Sequence, residues 1–177
     1  MTCYIALLRA VNVGGTGKLP MTELRAMCAR AGLHGARTYI ASGNVLVESD
    51  GPASHVQQAL ASELASYAGR AVDVLVRDAR QMQTIAERQP FTDVPGNRVA
   101  VLFLDRPAAK DLISQVRGLQ DEQLVVAGTE IYAYYPSGMA DSRWRLPSGV
   151  ISTARNMNTV ARLVAMAKSQ AAENGKS

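Results

Sequence analysis

Cysteine is nearly absent from this chain: Cys3 and Cys28 are the two among 177 residues. They are too few and too scattered for a disulfide framework or a thiolate zinc site. Cys28 falls on the apolar stripe of a predicted helix, which marks it as a buried structural thiol. Histidine is equally scarce, and His34 and His55 have no nucleophile at a readable spacing. No paired carboxylates and no metal-ligand cluster stand out, so no catalytic residue can be named from the sequence and no cofactor or metal is called for. No apolar run approaches the roughly 20 residues of a membrane helix, which predicts no membrane association. The start, Met1-Thr2-Cys3-Tyr4, lacks the basic and apolar regions of an export signal, so a reducing cytoplasm is the expected location. Lysine and arginine form no block: 19 basic and 15 acidic residues are dispersed, leaving a net charge of +4 and an isoelectric point near 9.3. That balance permits an anionic ligand or nucleic acid and argues for neither.

What is present is a well-patterned 47% of hydrophobic residues, enough to exclude a disordered chain. Residues 3–11 read as a first strand. From Pro20 the spacing turns helical through Met21, Leu24, Met27, Cys28 and Ala31, with Gly32 as the stop. A hairpin follows over 37–40 and 44–48, then a helix over 54–68 and a strand over 71–76. This β-α-β-β-α-β order is the split βαβ arrangement. After a connecting helix at 78–88 the order restarts, with a strand at 99–104, a helix at 108–117, a hairpin of 123–126 and 130–135 about Gly128, and a helix at 153–168. No final strand follows. Tyr39-Ile-Ala-Ser-Gly-Asn-Val is faintly similar to Val125-Val-Ala-Gly-Thr-Glu-Ile, in keeping with a duplication. The expectation is an α+β fold of two ferredoxin-like subdomains with mainly antiparallel sheets and helices packed on them. The first spans 1–77, a connecting helix and loop 78–97, the incomplete second 98–170, and a flexible tail 171–177. The strands at 72–76 and 99–104 are almost continuously apolar, so both faces of each sheet should be covered.

In such a sheet the end of the first strand and the hairpin between the second and third meet at one edge, beside the start of the first helix. That geometry gathers Asn12, Gly14 and Gly15 near Ser42, Gly43 and Asn44, with Arg9 and Lys18 as cations. Free backbone N–H groups and a positive helix end favour an anion there. The same letters also suit ordinary hairpin chemistry, because glycine and asparagine tolerate positive φ. A phosphate-loop reading of Gly14-Gly15-Thr16-Gly17-Lys18 fails: Asn12 stands where the first glycine is needed, and Leu19 where Ser or Thr must bind magnesium. A third segment is Ser152-Thr-Ala-Arg-Asn-Met-Asn-Thr159. Read as a capped helix start, it presents Arg155, Asn156 and Thr159 in the first turns. Before it, residues 136–151 form a long loop holding Arg143-Trp144-Arg145, where Trp144 either clamps a flat ligand or pins the loop to the body.

Three of these segments carry a resemblance. Tyr4 to Gly15, Thr38 to Asn44 and Thr153 to Asn156 resemble the Tyr-Ile-x-Leu-Leu-Arg-Gly-Ile-Asn-Val-Gly-Gly, Thr-Tyr-Ile-x-Ser-Gly-Asn and Thr-x-Arg-Asn motifs of a bacterial family, domain of unknown function 1697. Ala10 and Val11 stand where that family usually has Gly and Ile. The resemblance implies two ferredoxin-like subdomains and no activity. The leading expectation is therefore a cytoplasmic binder of a small anionic ligand, phosphorylated ones included, through Arg9, Asn12, Gly14, Gly15, Lys18, Ser42, Gly43, Asn44, Arg155, Asn156 and Thr159. The alternatives are a nucleic-acid binder and an enzyme acting on an acidic or phosphorylated substrate between the lobes. Oligomeric state is not legible.

Overall fold

Two apolar runs, Thr2–Leu8 and Val99–Leu104, become the central strands of two separate sheets. The computed structural model describes residues 1–9, 19–39 and 43–176. In chain order its elements are β1 (Thr2–Leu8), α1 (Met21–Arg30), β2 (His34–Tyr39), β3 (Asn44–Ser49), α2 (Ala53–Ala68), β4 (Val74–Asp78), α3 (Ala79–Glu87), β5 (Val99–Leu104), β6 (Gln123–Ala127), β7 (Glu130–Tyr134), β8 (Ser152–Asn156) and α4 (Met157–Asn174). The result is a mixed α+β protein with two four-stranded antiparallel sheets, ordered β2-β3-β1-β4 and β6-β7-β5-β8. The chain divides into two units, Met1–Thr84 with Arg162–Ser177, and Ile85–Ala161.

In the first unit, alternation along β1 sends Tyr4, Ala6 and Leu8 to one face. There they join Val45 and Val47 of β3 and a helical layer carrying Leu24, Met27, Leu60 and Leu64 in one core cluster. Each such side chain contributes about 1.5–3 kcal/mol on full burial. Ile5, Leu7 and Leu46 point the other way and are also fully buried. On that second face Glu48 needs partners, and the distal half of α4 brings them. Gln170 Nε2 donates to Glu48 Oε1 at 3.0 Å and to the Gly35 carbonyl at 3.2 Å, and Asn174 Nδ2 also donates to Glu48. At α3 a capping box closes the first turn: the Gln81 N–H donates to Asp78 Oδ1 at 2.7 Å, and the Asp78 N–H to Gln81 Oε1 at 2.9 Å.

In the second unit every residue of β5 is buried. One face of its sheet, with Leu102, Leu104 and Ile131, is covered by the loop at 136–151. Met139, Trp144, Leu146 and Val150 pack against this cluster. Trp144 Nε1 donates to Tyr135 Oη at 3.0 Å, so the tryptophan pins the loop to the sheet. On the other face Tyr132 Oη donates to the Ile85 carbonyl at 2.6 Å.

Two sequence expectations are corrected here. The helix expected at 108–117 is reduced to a single 3-10 turn, Ile113–Gln115. Of its large apolar residues Leu112 is buried while Ile113 is exposed, and so short a stripe cannot nucleate an α-helix. The chain instead becomes extended, and Arg117 bridges Arg145. The helix expected to begin at 153 begins at Met157, and the residues before it form β8, paired with β5. Thr153 and Arg155 alternate inward, a period of two that wins over the helical reading because β5 offers an open ladder. The second sheet therefore has the fourth strand that the sequence reading omitted.

Two stability predictions follow from this packing. Gly118 sits at φ +78°, and a Cβ there would lie 2.7 Å from the Arg143 carbonyl oxygen, whereas Gly138, at φ +85°, has open space. Gly138→Ala should cost about 1–2 kcal/mol, the left-handed backbone strain alone. Gly118→Ala should cost at least about 1 kcal/mol more by urea unfolding; equal costs would contradict the close approach. The second concerns Cys28, buried in the first core, whose thiol is pushed up from 9.0 to about 11 by burial. The folded state favours the neutral thiol. Its contribution is complete below pH 9 and is lost as pH rises toward 11, up to about 3 kcal/mol. A Cys28→Ala variant should lose less stability across that window, and identical profiles would show that the thiol is not buried as described.

Candidate functional site

Strand β1 ends where its ladder hands over to two loop contacts. The Leu8 N–H donates to the Gly43 carbonyl at 2.9 Å, and the Arg9 N–H to the Asp73 carbonyl at 3.0 Å. Arg9 Nη1 lies 3.2 Å from Asp73 Oδ2, and both side chains are nearly half exposed, 45% and 43%. An exposed pair of this kind contributes under about 1 kcal/mol, so the guanidinium is oriented without being locked away. Gly43, at φ +81°, leads into Asn44, which opens β3 opposite Leu7. Asn44 is fully buried and its Nδ2 donates to the Tyr39 carbonyl at 3.0 Å. That bond ties the end of β2 to the start of β3, so Asn44 shapes this edge of the sheet from below.

These contacts bring Arg9, Gly43 and Asn44 to one sheet edge. Asn12, Gly14, Gly15, Lys18 and Ser42 lie outside the described residues. Nearby, α1 begins after Pro20, whose side chain provides no cap.

Arg155, Asn156 and Thr159 belong to the second unit, where β8 and the first turn of α4 position them. Asn156 Oδ1 accepts the Thr159 N–H at 2.9 Å, so Asn156 is the cap of α4. Thr159 is buried. Arg155 lies in β8 opposite Val101, with only 8% of its surface exposed. Its Nη1 donates to Thr153 Oγ1 at 2.7 Å and to the Ala154 carbonyl at 2.9 Å. Burial lowers its pKa to about 10, which still leaves the guanidinium charged at neutral pH.

Sequence reasoning missed a counterpart in the first sheet. Arg77 of β4 is buried opposite Ile5, and its Nη1 donates to the carbonyl of the preceding residue, Val76, at 3.0 Å. Arg155 makes the same bond to the residue before it. The readable signal was one arginine closing each apolar or small-residue strand, Val74-Leu-Val-Arg77 and Ser152-Thr-Ala-Arg155. Glu130, opposite Phe103, occupies in β7 the register that Asn44 occupies in β3.

The remaining chemistry is quiet. Cys3 lines a groove of about 520 Å³ with Asp78, Arg80 and Lys168. Burial, reinforced by Glu48 and partly offset by Arg37, pushes its thiol to about 11. Burial disfavours the thiolate form of this thiol and of that of Cys28. Among the described residues no group of three His, Cys, Asp or Glu side chains could hold a metal ion. No helix among them is long and apolar enough to cross a membrane.

Comparison with known proteins adds fold and family. A conserved bacterial protein, SP0830, from Streptococcus pneumoniae is similar in structure, with a TM-score of 0.73 and 21% identity over 95% of this chain and 99% of that one. At that identity the likeness is one of fold. An unknown protein from Galdieria sulphuraria aligns over 98% of this chain and 92% of its own at 12% identity, with a TM-score of only 0.29. No curated protein matches. The model of the family described as "Protein of unknown function (DUF1697)" matches residues 1–132, and the chain belongs to that family.

Proposed function

We propose that the edge of the first sheet at Arg9, Gly43 and Asn44 binds a small anionic ligand, best a phosphorylated one, in a cytoplasmic protein. The observation that carries this reading is the convergence at the end of β1, where Leu8 and Arg9 are fastened by backbone bonds to Gly43 and Asp73. The Arg9 guanidinium is held there half exposed. From this edge the glycine-rich segment with Asn12, Gly14, Gly15 and Lys18 departs, and Ser42 precedes Gly43. Glycines supply backbone N–H donors without steric cover, and the start of α1 adds its positive end. Asp73 orients Arg9 and yields it to a stronger, dianionic partner. Tyr4, the aromatic of the central strand on which a nucleic-acid base would stack, is buried with its hydroxyl donating to the Gly51 carbonyl at 2.9 Å, which favours the small ligand over RNA.

The same inference extends to the architecture: the two units read as copies of one ferredoxin-like unit. Their sheets share one strand order, Arg77 and Arg155 face corresponding residues of β1 and β5, and the Leu104 N–H bonds the Thr129 carbonyl as the Leu8 N–H bonds that of Gly43. A crystal structure in which superposing the eight strands brings Arg77 onto Arg155 supports duplication. Offset registers would remove it.

The ligand reading is tested by amide NMR and thermal shift with a panel of sugar phosphates and acidic metabolites. A binder at a hundred times its dissociation constant should raise the melting temperature by roughly 5–10 °C and move the Leu8, Arg9 and Gly43 amide signals. An Arg9→Gln, Lys18→Gln variant that folds normally should lose the movement of those signals. Signals at this edge that stay fixed with every member of the panel would end the proposal.

A further inference from the structure

The loop at 136–151 does more than cover the second sheet. Because Trp144 turns into the core, its neighbours in an extended stretch must turn out. Arg143 bends back on its own loop, its Nη1 donating to the Ser142 carbonyl at 3.1 Å. Arg145 pairs with Arg117. The Arg117 N–H donates to the Arg145 carbonyl at 3.1 Å and the Arg145 N–H returns the bond at 2.9 Å.

A reciprocal bond of this kind defines a directly opposed antiparallel pair, which places both side chains on the same side with Cα atoms about 5.5 Å apart. Like charges held this way repel. Among the described residues no carboxylate pairs with either guanidinium; the ion pairs lie at the Met1 amino group, Arg9, Arg30 and Arg106. Of the acids near in sequence, Asp111 is held by Gln115 Nε2 at 2.7 Å, Asp121 accepts from Ser137 Oγ and Glu122 from Ser142 Oγ at 2.6 Å; neither they nor Asp141 line the cavity beside the two arginines.

That cavity has a volume of about 760 Å³ and is lined by residues 114–117 and 145–148. Both of its walls are anchored, through Leu112 and Leu146, which pack in the second core, and by the close approach of Gly118 to the Arg143 backbone. Its polar lining residues are Ser114, Gln115, Arg117, Arg145 and Ser148; of these, Ser114 Oγ and Gln115 Nε2 already donate to Asp111. No aromatic side chain lines it, so it offers nothing for a base to stack on. Its size is that of a metabolite site.

We propose that the Arg117–Arg145 pair is an anion site for a phosphomonoester dianion without an aromatic group. Two arginines converging from one side match two faces of a phosphate, and the ligand's charge cancels their repulsion. This site is in the second unit and does not depend on the edge at Arg9.

The test titrates inorganic phosphate and glycerol 3-phosphate into the full chain at constant ionic strength, followed by amide NMR, with a single-stranded oligonucleotide in parallel. Both phosphates should bind saturably and move the Arg117 and Arg145 signals. Arg117→Gln and Arg145→Gln should each weaken binding roughly tenfold, the pair together should abolish it, and Arg9→Gln, Lys18→Gln should leave it intact. The unliganded double variant should melt at or above the wild type, because repulsion is relieved while the backbone bridge remains. Absence of saturable binding, binding unchanged in the double variant, binding of the oligonucleotide alone, or a lower melting temperature of the unliganded variant would each overturn the proposal.

Discussion

Both central strands are buried on both of their faces, and that one constraint accounts for most of what surrounds them. A strand with one wet face can carry polar groups at every second position. Neither β1 nor β5 has that freedom: from Tyr4 to Leu8 and from Val99 to Leu104 every residue is buried. Any polar side chain on a neighbouring strand must then find its partner locally, since a buried unpaired group costs on the order of a few kcal/mol. Glu48 takes Gln170 and Asn174. Asn44 takes the Tyr39 carbonyl, and Tyr132 that of Ile85. Arg77 and Arg155 each fold back on the residue before them.

The consequence is a division of labour. Polar residues within the sheets are held by local partners, whereas the cations of the two proposed sites stand at strand ends and loops. Arg155 and Asn156, conspicuous in the sequence, are of the first kind: one is a buried strand residue, the other a helix cap. Arg9, at the end of β1, is of the second. So are Arg117 and Arg145, which oppose each other where the chain turns extended after the 3-10 turn at Ile113–Gln115 and Trp144 pins the loop.

How much of this the sequence disclosed depended on whether one periodicity stood alone. Met21, Leu24, Met27 and Cys28 recur with helical spacing and nothing competes, and α1 forms there. The hairpins about Gly43 and Gly128 were equally plain, as turn residues between apolar runs. Residues 152–160 carry both signals: Thr153 and Arg155 alternate, while Met157 and Val160 begin a helix. Only the partner strand β5, whose Phe103 lies opposite Thr153 in a register no local pattern reveals, decides where one stops. At the site, the meeting of Arg9 with Gly43 and Asn44 followed from strand order. The Arg9–Asp73 pair and the Arg117–Arg145 pair did not, because each joins segments distant in sequence.

The most direct measurement is a crystal structure of the protein grown with a saturating sugar phosphate. The account predicts a phosphate at the end of β1, contacted by Arg9 and Lys18, with Asn44 still bonded to the Tyr39 carbonyl beneath it. An Arg9–Asp73 pair undisturbed beside an edge that holds only solvent would contradict it.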